Sequence, residues 1–122
     1  MKYRCLTVKP EYATAFVTGD KTNEYRSWKT SYRGDLLICA GAKRTPGCVC
    51  GHAVMLADLY RITGKKGDYT WHLRNHRLIN PVPIKGKLRI FDVDIDNLTV
   101  FDDDTPQDVI DSAFDLIFVW VF

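Results

Sequence analysis

A chain of 122 residues, 46% apolar and 12% aromatic, holds enough hydrophobic surface for a single domain with one moderate core and too little for two. Its longest apolar stretch, Leu116 to Phe122, is far short of the ~20 residues that span a bilayer, and the opening MKYRCLTVKPEY lacks the apolar run of a secretory leader. A cytoplasmic protein with reduced thiols and no membrane partner is therefore expected.

The formal net charge of +2 conceals a division along the chain. All 17 Lys and Arg fall between Lys2 and Arg89, against six acids, which leaves +11 on that part; nine aspartates and no base follow from Phe91 onward. A basic body suits a polyanionic partner, because each neutralised phosphate releases counterions. A solvated, charge-balanced surface accounts for the same counts.

In chain order, Arg4 to Lys9 reads as a short strand, and Pro10 stands where a first helical turn tolerates it. The segment PEYATAFVTG spaces its apolar residues as a short helix stopped by Gly19. Thr22 to Trp28 alternates like a strand, yet nearly all its side chains are polar or charged. Asp35 to Ala42 is a nearly continuous apolar run, hence a buried strand, and Cys48 to Ile62 is a longer one that Gly51 bends or bulges. If that segment is extended, Cys48, Cys50 and His52 share a face, but without the ligand spacing of a zinc site, so no metal is expected.

After the basic turn TGKKGD, the segment YTWHLRNH predicts one or two helical turns with His72 and His76 on one face. PVPIKG predicts an extended loop, Lys87 to Ile95 a strand, and Thr105–Pro106 an N-cap and N1 pair opening a C-terminal helix; FVWVF closes the chain as a possible strand. Mostly β with short helices inserted between strands is an α+β class and suggests a small, partly closed barrel.

The order LTVKPEYATAFVTGDKTNEYRSW, LLICAGAK, GHAVMLADL, YTWHLRNHRLINPVPIKGKLRIFDV resembles the ASCH domain family of the PUA-like superfamily over about Leu6 to Val93. The most specific piece is G-x-K-x-x-E-x-R at Gly19, Lys21, Glu24 and Arg26, supported by Tyr69, Trp71, Pro81, Pro83, Lys85 and Gly86. The chain is thus taken as one domain, 1–122, with a family-like core and an acidic extension, 94–122, on which the resemblance is silent. The resemblance implies a PUA-like β-barrel with a cleft lined by the signature, and RNA or a modified nucleoside as ligand, with no cofactor. Some bacterial members are ribonucleases, and others amidohydrolases of N4-acetylcytidine.

Within that frame Lys21 and Glu24 are the candidate catalytic residues, as a pair activating water. Glu24 stands where deacetylating members carry a threonine proposed as their nucleophile, so the resemblance does not carry the simple threonine mechanism over to this chain. Thr22, Arg26 and Trp28 share the strand face of Glu24 and are candidate ligand contacts, Arg26 for phosphate and Trp28 for a base. Lys9, Lys43 and Lys85 supply further charge, and Tyr12, Tyr69 and Trp71 further contacts. A non-catalytic adaptor for RNA or protein is the alternative.

Overall fold

The computed structural model describes residues 1–121. Eight elements follow one another: β1 (Lys2–Val8), α1 (Pro10–Thr18), β2 (Glu24–Arg26), β3 (Gly34–Ala40), β4 (His52–Lys65), β5 (Asp68–Pro83), β6 (Ile90–Asp94) and α2 (Gln107–Asp115). The six strands form one sheet in the order β2-β5-β4-β3-β1-β6, in which β1 and β3 are parallel and every other neighbouring pair is antiparallel. The α+β class is as expected. The sheet, however, is not closed: β2 and β6 are its two edges and no ladder joins them.

Both faces of the sheet are apolar, which is why β3 reads as a continuous hydrophobic run rather than an alternation. Leu6, Leu36, Ile38, Val54, Leu59 and Trp71 pack with Ala13 and Phe16 of α1 and Phe114 of α2. On the opposite side Cys5, Leu37, Cys39, Leu56 and Ile79 pack with Phe91 and Val93. Pro10 opens α1, and Gly19 ends it at φ 85, a left-handed conformation that glycine adopts without strain.

Four expectations are corrected. Residues 69–76 are strand, not helix: Tyr69, Trp71 and Leu73 occupy alternate positions of β5 and pair with β4, so His72 and His76 sit on a strand. The basic turn is accordingly the two-residue tip of the β4–β5 hairpin, with Lys65 opposite Asp68 and Gly67 at φ 86. The Pro-containing stretch is mostly strand too, since β5 runs to Pro83 before the loop begins. The polar strand is short, with only Glu24 to Arg26 in the ladder. The C-terminal helix begins one residue later than expected, at Gln107, while Thr105 exchanges hydrogen bonds with Asp102 in the preceding turn. The final segment adds an isolated bridge, Val49 to Phe118, and Val119 bonds to Gly47 and Cys48 on either side.

Candidate functional site

The parallel pairing of β1 and β3 places their C-terminal ends on the same side of the sheet, so the chain leaves both strands at one place. From β1 it turns through Lys9 into the start of α1, and from β3 into the loop Gly41–Pro46. Because β6 runs antiparallel to β1, with Ile90 opposite Leu6, the loop that enters β6 arrives at the same spot. These three connections enclose a cleft of about 1030 Å³. Among the described residues, Lys9, Arg26, Lys43, Arg44, Lys85, Lys87 and Arg89 line it with a single acid, Glu11, and with apolar surface from Val8, Pro10, Ala42, Pro46 and Leu88.

The floor is held by close packing. Gly86 lies so tightly on β1 that a methyl group there would come 2.8 Å from Thr7 Oγ1 and 2.9 Å from Thr7 Cγ2. The buried Thr7 hydroxyl has no hydrogen-bond partner, while the Thr7 carbonyl accepts from Arg26 Nη2 at 2.8 Å. Thr14 ties α1 to the segment before β4, donating to the Pro10 carbonyl and accepting the Val49 N–H.

The signature residues meet, but face different ways. Glu24 is 3% exposed and collects four donors: Lys21 Nζ at 3.3 Å, the Tyr25 N–H at 3.2 Å, and Arg26 Nε and Nη2 at 3.2 and 2.9 Å. Arg26 reaches from this carboxylate into the cleft. Lys21 instead sits among the rings of Tyr12, Phe16 and Tyr25, with its ammonium 4.7–5.4 Å from their centroids. Neither Lys21 nor Glu24 lines the cleft.

Of the other sequence candidates, Lys9, Lys43 and Lys85 line this cleft. Trp71 is fully buried, donating its Nε1–H to the Trp28 carbonyl, and belongs to the core. Trp28 packs edge-on against Trp71 with centroids 4.8 Å apart, and the guanidinium of Arg89 lies 5.1 Å from its ring. Thr22 is exposed and its carbonyl meets His76 Nε2, outside the cleft. Tyr12 and Tyr69 also lie outside it, Tyr69 beneath Lys29. His52 is engaged with the Cys50 carbonyl through Nδ1, and His72 with the Thr63 hydroxyl.

The residues that single-sequence reasoning passed over are Arg44, Lys87, Leu88 and Arg89. Their signal was present as two basic clusters, AKR and KGKLR, which only the strand order brings together. Among the described residues, Lys9, Lys43, Arg44, Lys85, Lys87 and Arg89 have no carboxylate within ion-pair distance, whereas Arg4, Arg74 and Arg77 are paired with Asp92, Asp58 and Asp35.

The acidic segment is elsewhere. Asp102 and Asp103 line a second, smaller concavity of about 410 Å³ with Asn75, His76 and Arg77. No described helix is long and apolar enough to cross a membrane. Compared with known proteins, residues 6–98 match the family model described as ASCH domain. No curated protein matches the chain.

Proposed function

We propose that this chain, which belongs to the ASCH domain family, binds single-stranded RNA along the cleft formed by Lys9, the 41–46 loop and the 85–89 loop. The observation that carries this reading is the set of six cations on one concave surface with no carboxylate partner among the described residues. Unpaired, exposed cations give up no ion pair when they meet phosphate, and each one engaged releases counterions. The apolar lining between them suits unstacked bases, which a single strand offers and a duplex conceals. At about 1030 Å³ the cleft is at the upper end of small-molecule sites, which span ~300–1,000 Å³, so a short oligonucleotide fits it better than one nucleoside.

The reading is of binding rather than hydrolysis. Glu24 already accepts from four donors, and Lys21 is enclosed by aromatic rings. A pair so engaged braces Arg26 against the cleft and is poorly placed to carry protons for a substrate.

Titration of a short oligoribonucleotide between about 50 and 200 mM salt tests it. If three or four phosphates are neutralised, log K falls with log salt at a slope of about −2 to −3. Replacing Lys43, Lys85 and Lys87 together by Gln flattens that slope. Tight binding of free cytidine or N4-acetylcytidine with no salt dependence, and none of RNA, would overturn the reading in favour of a nucleoside pocket.

A further inference from the structure

The geometry points to Arg89 as a phosphate-binding residue pre-set by Trp28, with Trp28 acting through Arg89 rather than stacking on a base. This inference rests on the RNA reading of the cleft. Among the described residues, three other than glycine have positive φ: Asn75, Arg89 and Asn97. Asparagine tolerates that conformation, because its short side chain bonds locally. Arg89 at φ 60 has no such excuse, and a long side chain held in a disfavoured backbone region needs something to hold it there.

Trp28 is that support. Its ring lies 5.1 Å from the Arg89 guanidinium, within cation–π range. Trp28 is itself fixed, edge-on against the fully buried Trp71, whose indole N–H donates to the Trp28 carbonyl at 3.2 Å. A rigid series therefore runs from the core through Trp71 and Trp28 to Arg89, which lines the cleft.

Arg26 reaches the same cleft by a different support, gripped by Glu24 and the Thr7 carbonyl. Two guanidiniums are thus held in place before any ligand arrives, while Lys9, Lys43, Lys85 and Lys87 are exposed on flexible stems. A planar fork matches phosphate oxygens, and a side chain already ordered loses less entropy on binding. The chemistry recognised is the phosphodiester. The face of Trp28 that a base would take is occupied by Arg89.

A double-mutant cycle tests this by calorimetry, with both a short oligouridylate and inorganic tripolyphosphate as probes. Arg89→Gly keeps the backbone conformation, because glycine adopts it freely. It is expected to weaken both probes about tenfold, to reduce the RNA salt slope by about 0.7, and to leave the melting temperature unlowered. Trp28→Leu weakens them by a similar factor, Trp28→Phe keeps a platform and stays near wild type, and the double variant Trp28→Leu/Arg89→Gly is no weaker than Arg89→Gly. Unchanged binding in Arg89→Gly overturns the inference, and so do additive losses in the cycle, which place Trp28 directly on the ligand. If the wild type binds tripolyphosphate but not RNA, the RNA reading fails while the loss in Arg89→Gly still supports the phosphate role. Binding of neither probe overturns both.

Discussion

Glu24 is the buried charged residue of the described chain, and its surroundings compensate for the water it gives up: an ammonium, a guanidinium and a backbone N–H all point at its carboxylate. Removing the carboxylate strands two cations whose side chains are only 15% and 23% exposed. Glu24→Ala is therefore expected to destabilise the fold by about 2–3 kcal/mol in urea denaturation, and to weaken RNA binding by releasing Arg26. Arg26→Ala leaves the Lys21–Glu24 pair intact, so its loss falls more on affinity than on stability. The sequence spacing brought Lys21, Glu24 and Arg26 together correctly. It did not show which way each faces, because alternation assigns a side of a strand and not what covers that side. Tyr12 and Phe16 of α1 enclose Lys21, and that packing depends on how the helix docks.

The thiols also separate at this scale. Cys5, Cys39 and Cys48 are buried, and Cys50 is half-buried. A hydrogen bond with Cys5, and then burial, push the Cys39 thiol well above the ordinary cysteine range, so it remains a neutral core group at any working pH. Titration of the native protein with a thiol reagent is expected to modify Cys50 first, the other three reacting only on denaturation. Early modification of Cys39 would contradict this packing.

Among the elements, the loop entering β6 matters most, because it forms one wall of the cleft and presses on β1. Gly86→Ala places a methyl group against Thr7, which the strand holds in place. It is expected to cost about 1–3 kcal/mol and to weaken RNA binding by shifting Lys85, Lys87 and Arg89. Adding Thr7→Ala removes the atoms it meets and should restore most of both losses; failure of that rescue would mean the loop is positioned by something other than this contact. The strands built from apolar runs, β3 and β4, were legible in the sequence, although β4 begins at His52, after Gly51, and not at Cys48. The element misread was β5, where His72, Arg74 and His76 suggest a helix face when taken alone. They are the outward positions of a strand whose inward partners, Trp71 and Leu73, are covered by the core. Sheet partnership decided that segment, and partnership is a non-local fact. The open edges of the sheet were hidden for the same reason.

Over the whole molecule, the +11 body and the nine following aspartates do not simply fold onto each other. Asp102 and Asp103 line a concavity with Asn75, His76 and Arg77, and no residue beyond Arg89 lines the basic cleft among the described residues. Replacing Asp102, Asp103 and Asp104 together by Asn is accordingly expected to change RNA affinity little at physiological ionic strength, where screening acts over about 8 Å. A markedly tighter complex would mean that the acidic segment guards the cleft after all. Charge division was plain in the sequence, but its disposition in space was not, since it follows from where α2 and the 99–106 segment pack.

The central claim is the location of the RNA-binding surface, and an amide NMR titration with a short single-stranded oligoribonucleotide tests it most directly. The expected shifts cluster at Lys9, at Gly41 to Thr45 and at Lys85 to Arg89, with Arg26 following and the Asn75–Leu78 and Asp102–Ile110 segments unmoved. Shifts concentrated on those latter segments, or on the Lys65–Gly67 hairpin tip with the cleft silent, would contradict the account.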